Sequence, residues 1–269
     1  MFQTTNKYIG RKMKNKLTLS LVLLLSLLFF QSCNDSINPN TTKNLAYDDI
    51  SDITYMNNSF YTTNNDLSLN AGSQIDLFRF EKQDQNIFLV DNFDLGLNGQ
   101  GYFAITNDSL NIFLQSKRMS TIFCYSAIGE LLYISTDSIS LSWQPSGICF
   151  IEEKDSLLLL YKNLNSPKEY RALIVDKLHP FLNGFDKTFS FGFIDPTEHG
   201  IYAIDYYESS FYLLGVDSSQ QDILIRTNYD FEVTSVDTIA DSTVTGLCFD
   251  QDDLYLSYQN KRIELWRSY

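Results

Sequence analysis

Cysteine, proline and histidine are all scarce in this chain, with four, five and two residues among 269. Beyond position 33 only Cys124, Cys149 and Cys248 remain, and an odd count excludes a fully paired disulfide framework. Each sits in an apolar stretch, Ile122-Phe123-Cys124-Tyr125, Ile148-Cys149-Phe150 and Leu247-Cys248-Phe249, and reads as a small core residue. With only His179 and His199, a histidine-rich zinc site is excluded, and a Ser-His-Asp triad would have to use one of these two. The chain has no Gly-rich phosphate loop, Gly-x-Ser-x-Gly elbow, Cys-x-x-Cys pair or His-Glu-x-x-His motif. Convincing amphipathic helical windows are also missing; Lys168 to Leu178 is the one ambiguous stretch.

Basic residues are concentrated at the start. Lys7, Arg11, Lys12, Lys14 and Lys16 form a leader without an acidic residue, and Leu17 to Phe30 is a run interrupted only by Thr18, Ser20 and Ser26. A positive leader, a short apolar run and a small residue before the cut define a secretory signal. The run would span ~21 Å as a helix, short of a ~30 Å hydrocarbon core, which counts against an uncleaved anchor. Phe30-Gln31-Ser32-Cys33 resembles a bacterial lipobox in the relaxed form of the Bacteroidetes group. That resemblance implies lipid attachment at Cys33, with diacylglycerol and palmitate as anchor, and a bacterial cell-envelope location at the outer membrane. Residues 1–32 are then the signal peptide, and Met13 is an alternative start because a signal beginning there is complete. Asn34 to Asn44 holds one large apolar residue, Ile37, so 33–44 reads as a flexible tether. The mature chain carries 15 basic against 33 acidic residues, a net charge of −18. Such acidity argues against nucleic acid as a partner and leaves the lipid as the link to a membrane.

Residues 45–269 read as one all-β domain. Short β-branched and aromatic runs are separated by Asn, Asp, Ser and Gly. Four of these runs begin alike: Gly101-Tyr-Phe-Ala-Ile-Thr106, Gly147-Ile-Cys-Phe-Ile-Glu152, Gly200-Ile-Tyr-Ala-Ile-Asp205 and Gly246-Leu-Cys-Phe-Asp250. Asp52-Ile53-Thr54-Tyr55-Met56 is a degenerate earlier copy. The glycines recur at intervals of 46, 53 and 46 residues, and a second and usually a third strand follow each. That is β-propeller spacing, in which each blade is a small sheet hidden between its neighbours. Glycine at the head of the innermost strand permits close backbone approach. Length gives five blades, with six as the alternative and a β-sandwich as the non-repeat reading. The last unit has room for three strands, so a segment near Leu45 to Ile53 is the expected fourth.

The last unit, Val244 to Trp266, resembles an NHL-type propeller repeat in its Gly-apolar-x-apolar-Asp opening and its Asn260-x-Arg262-Ile ending. The match is good over that unit and poor elsewhere. It supports a propeller and says little about activity.

Three sets of residues are site candidates. Glu152, Glu153, Asp205, Asp250, Asp252 and Asp253 follow the inner strands. Glu152, Asp205 and Asp250 are the metal candidates, and Ca²⁺ is the ion they would suit. In gluconolactonase-like propellers such a set holds a catalytic divalent ion; the plainer reading is hairpin-turn chemistry with no cofactor. Asp-Ser/Thr tripeptides recur, at Asp35-Ser36-Ile37 and around Ser109, Ser138, Ser156, Thr238 and Ser242. They resemble O-glycosylation acceptors of exported Bacteroidetes proteins, although Asp-Ser also ends turns. Tyr202, Tyr206, Tyr207, Phe211 and Tyr212 could stack on a sugar or grip a peptide, or pack between blades. The expected function is a lipid-anchored binding or scaffold propeller for a protein or glycan partner, without catalysis. The alternative is a metal-dependent propeller hydrolase or lactonase.

Overall fold

The computed structural model describes residues 50–64, 74–83, 86–98, 103–116, 120–136, 142–180, 185–195, 200–241 and 243–266. Cys33, the leader, the tether, Gly101, Ser138, His199 and Ser242 lie outside the described residues. The first blade is β1 (Ile50–Met56), β2 (Ser59–Asn64), β3 (Gln74–Gln83) and β4 (Asn86–Asn98). The second is β5 (Phe103–Asn107), β6 (Asn111–Ser116), β7 (Thr121–Ser126) and β8 (Leu131–Thr136). The third is β9 (Trp143–Ile151), β10 (Ser156–Asn163), β11 (Glu169–Asp176) and β12 (Phe185–Ser190). The fourth is β13 (Ile201–Tyr207), β14 (Ser210–Val216), β15 (Asp222–Thr227) and β16 (Val233–Thr238). The fifth is β17 (Val244–Asp250), β18 (Asp253–Tyr258) and β19 (Arg262–Leu265). Each sheet is an antiparallel meander in chain order, and together they make a five-bladed β-propeller.

Alternation within the strands explains why the blades stack. Along β10, Leu157, Leu159 and Tyr161 join a cluster with Ala104, Phe113 and Ile122 of the second blade. The intervening Leu158 and Leu160 join Ile201, Phe211 and Leu213 of the fourth. Successive side chains leave a strand on opposite faces, so a strand buried on both faces reads as an unbroken apolar run. Two further clusters fill the first–second and fourth–fifth junctions. The ring closes where β17 packs against β1. That junction is different in kind. Phe60 meets Tyr255 at a ring separation of 4.8 Å, Lys261 Nζ lies 5.6 Å over the buried Phe78 ring, and hydroxyls make up part of the remainder. Ser51 and Thr63 share a hydrogen bond of 2.5 Å, and Ser257 donates to the Ser51 carbonyl at 3.4 Å.

Three expectations are corrected. Of the segment expected to complete the last blade, residues 45–49 lie outside the described residues, and residues 50–53 form the start of β1, the innermost strand of the first blade. The fifth sheet has three strands among the described residues. Lys168 to Leu178 is chiefly the strand β11, whose Ala172 and Ile174 pack towards the fourth blade while Val175 joins the junction with the second. Six blades and a sandwich are both set aside by the five small sheets. Cys124, Cys149 and Cys248 are buried free thiols, and burial pushes Cys124 up to about 11.

Glycine serves the inner strands as the repeat suggested, at Gly147 and Gly246. A β-carbon on Gly147 would lie 2.8 Å from Ile204 Cγ2 of the next blade, and one on Gly246 would lie 2.6 Å from Asp52 Cα. Gly200 instead adopts φ of +45°, with Tyr170 and Lys162 close against it.

Candidate functional site

An innermost strand has neighbours in its own sheet on one side only, so the amides on its other edge need partners from elsewhere. Here the preceding blade supplies them. Asp52 on β1 accepts from the Ile105 amide of β5 at 3.5 Å and from its own neighbour Ile53 at 3.0 Å. Thr106 on β5 accepts from the Phe150 amide of β9 at 3.1 Å. Asp205 on β13 accepts from the Phe249 amide of β17 at 3.2 Å and from Tyr206 at 2.9 Å. Three of the five inner-strand junctions thus carry the same kind of cross-blade contact, made by a polar side chain of the inner strand. Burial raises the Asp205 carboxyl to about 7, and the two amide bonds oppose that rise only in part. Burial also pushes the Cys149 and Cys248 thiols well up, with the Asp205 and Asp52 carboxylates adding to it.

The hairpins that join first to second strands all fall at one end of the ring. Their turns use left-handed residues, among them Asn57, Ser109, Asp155, Glu208 and Gln251. This turn face is acidic and cross-linked by lysines. Lys177 Nζ lies 2.8 Å from Asp108 and 2.6 Å from Asp155, which ties the second blade to the third. Burial alone would raise the Asp108 carboxyl, but Lys177 and the amides of Asn111 and Leu110 hold it below its ordinary value. Lys82 lies 3.3 Å from Asp250 and 5.0 Å above the Tyr255 ring, linking the first blade to the fifth.

Two open grooves flank the β17–β18 turn. One, of about 480 Å³, is lined by Tyr55, Asn58, Lys82, Asp250, Gln251, Asp252 and Asp253. The other, of about 400 Å³, lies against Tyr212, Phe249, Leu254, Leu265 and Trp266, with Asp252 and Asp253 at its edge. Tyr207 stacks on Phe249 at 4.4 Å and donates its hydroxyl to Asp252.

The metal candidates are not brought together. Glu152 and Glu153 stand exposed on a 3-10 turn, Asp205 holds two amides, and Asp250 pairs with Lys82. Among the described residues no three His, Cys, Asp or Glu side chains are placed to share a metal ion. Of the glycosylation candidates, Ser109 and Thr238 are exposed, and Ser156 donates to the Lys154 carbonyl at 2.9 Å. Of the aromatic set, Phe211 is core, whereas Tyr207 and Tyr212 reach the groove region. Sequence reasoning passed over Asp52 and Thr106 as site residues and Trp266 as a groove wall. Asp52 follows Ser51 in a copy of the repeat that lacks the glycine, so no local pattern marks it, and the strand register places Trp266 just beyond β19.

No family model and no curated protein matches the chain. Solved structures are similar in fold. A GH43_1 enzyme from Xanthomonas citri complexed with xylose superposes with a TM-score of 0.52 at 9% identity, over 81% of this chain and 86% of that one. A chain of a nidogen/laminin complex gives 0.45 at 14% identity, over 75% and 86%. A streptogramin B lyase gives 0.41 at 10% identity, over 82% and 96%. At such identities the likeness concerns the fold alone.

Proposed function

We propose that this chain is a lipid-anchored cell-envelope module whose propeller binds a protein or glycan partner through its turn face, without catalysing a reaction. The observation that carries the reading is the use of the carboxylates. Asp52 and Asp205, on inner strands, hold inner-strand amides of adjacent blades, while the open grooves lie around the β17–β18 turn. A rigid ring presenting grooves from short turns suits recognition. The lipid on Cys33 would hold the propeller at the envelope. The test has two arms. Cys33→Ser should release the protein from the membrane fraction. A photo-crosslinking residue at Asn58, on the turn face, should give a discrete adduct in intact cells, while one at Ser219, in the hairpin at the other end, should give none. Adducts from Ser219 alone, or membrane retention of the Cys33→Ser protein, would sink the reading.

A second reading, a propeller hydrolase or lactonase, rests on Asp205. A carboxyl held near 7 is in the range a general base needs. Loss of lactone or ester hydrolysis in Asp205→Asn, with the fold retained, would support it; wild-type protein inert towards a panel of both would dismiss it.

A further inference from the structure

The rim of the ring is uneven. Two outer strands carry charge, Asp186 and Lys187 on β12 and Arg262 and Glu264 on β19. On β16 the exposed Val233 and Val236 are separated by Thr234 and Ser235. The outer strands of the first two blades differ. Phe88, Leu89 and Val90 on β4 and Leu131, Leu132 and Ile134 on β8 are each 40% to 54% exposed. Edge strands are usually blunted by charge, yet no charged residue falls within residues 87–90 or within β8. The two blades share an apolar cluster that reaches the rim at Phe93 and Ala127. There a β-carbon on Gly129, in the β7–β8 turn, would lie 2.7 Å from Phe93 Cβ on β4.

Both edges are bulged inside these apolar runs. Arg79 and Phe80 pair with Asp91 and Leu89, which leaves Val90 as an extra residue. Cys124 and Tyr125 pair with Tyr133 and Leu131, which leaves Leu132 as another. A bulge bends its strand and interrupts the ladder, so neither edge offers a regular row of amides and carbonyls to a partner's strand. A second copy of the chain would bring the same net charge of −18 to the contact. A lipid surface requires neither a hydrogen-bond register nor a complementary charge. It is also within reach. Cys33 stands seventeen residues before Ile50, a span of up to about 58 Å when extended. Ile50 begins β1, and β4 lies three strand spacings away in the same sheet, about 14 Å.

We propose that the rim of the first and second blades is a lipid-contacting surface. Its exposed apolar side chains enter the interfacial region of a zwitterionic bilayer, while the bulged strand edges stay among hydrated headgroups. The inference rests on the lipid anchor of the reading above. It stands the ring edge-on to the membrane and leaves the turn face open at the side.

The contact is auxiliary, weaker than the ~10⁴ M⁻¹ of a single myristoyl chain, so the Cys33→Ser protein still leaves a diluted and washed membrane fraction. The test is flotation of this Cys33→Ser chain with phosphatidylcholine vesicles at millimolar lipid. Most of the protein should float, and high salt should not release it. Phe88→Ser, Leu89→Ser, Leu132→Ser and Ile134→Ser combined should weaken flotation about tenfold or more, with the circular dichroism unchanged because all four side chains are exposed. An environment-sensitive dye on Ile134→Cys should brighten on the vesicles, and one on Val236→Cys, on the rim of the fourth blade, should not. Absence of flotation, flotation untouched by the four substitutions, release by salt, or equal brightening at Val236 would each overturn the proposal. So would a dimer in equilibrium sedimentation that the four substitutions dissociate, since the rim would then belong to a second copy. If Cys33→Ser frees the protein in cells and the vesicles do not bind it, the anchor stands and only the rim assignment fails. If the vesicles bind as expected and the cellular protein ignores Cys33→Ser, the rim stands and the anchor reading falls.

Discussion

Gly246 of the fifth blade faces Asp52 of the first so closely that a β-carbon at 246 would lie 2.6 Å from Asp52 Cα and 2.8 Å from the Ile53 nitrogen. Both are backbone atoms, so no side chain can swing aside. The ring closes at this contact. Gly246→Ala should therefore force β17 away from β1 and destabilise the protein by about 3 kcal/mol, as overpacking does in a tightly filled site. Urea unfolding measures it. Gly96→Ala, where nothing lies within 4 Å of the added carbon, separates steric closure from backbone conformation, since its φ of +65° carries strain alone.

Asp205 makes stability depend on pH in an unusual direction. Its carboxyl ionises near 7 in the folded protein and near 3.9 when unfolded. Between those values the unfolded chain binds fewer protons, so stability falls as pH rises, by up to ~1.4 kcal/mol per pH unit for this one group. The contribution is complete below about pH 4 and gone above about pH 7. Asp205→Asn keeps one acceptor oxygen and cannot ionise. The stability of wild type relative to this variant should decline steadily across that window; a flat difference would overturn the account.

Lys177 holds a carboxylate that has little other contact with water, since the Asp108 side chain is 1% exposed. Lys177→Met keeps the stem over Phe150 and removes the charge. It should cost about 2 kcal/mol at pH 7, less than for a fully buried pair because Lys177 is partly solvated. Asp108→Asn in the same background should recover part of the loss. Despite its burial, the Asp108 carboxyl is held below its ordinary value by Lys177, so the difference between wild type and Lys177→Met should shrink as pH falls through that lowered titration.

Blade five should open first. It has three strands among the described residues, and its junction with blade one joins Phe60 to Tyr255 and Phe78 to the Lys261 ammonium, with the Ser257 hydroxyl on the Ser51 carbonyl, without an extended apolar cluster. The other junctions each bury a cluster of large apolar side chains. Native-state amide exchange should show the lowest opening free energies in β17 to β19, and the highest in β10 and β14. Equal protection of all blades would show that closure by backbone contact and hydroxyls is as strong as an apolar seam.

The repeat is legible in the residues alone. A buried strand shared by two interfaces must be apolar on both faces, so Leu157 to Tyr161 and Phe211 to Leu214 stand out unaided, and glycine marks the start of their inner neighbours. Outer strands such as β16, Val233–Thr238, lie exposed and carry no such constraint, which is why composition did not reveal them. The acidic residues were visible, and their roles were not. Asp205, Asp250 and Asp252 look alike in sequence, yet one holds a neighbouring amide, one a lysine and one a tyrosine hydroxyl. The folded ring separates those roles, because each depends on which blade's edge comes within about 3 Å of the carboxylate, a distance fixed by how the blades pack and not by local spacing.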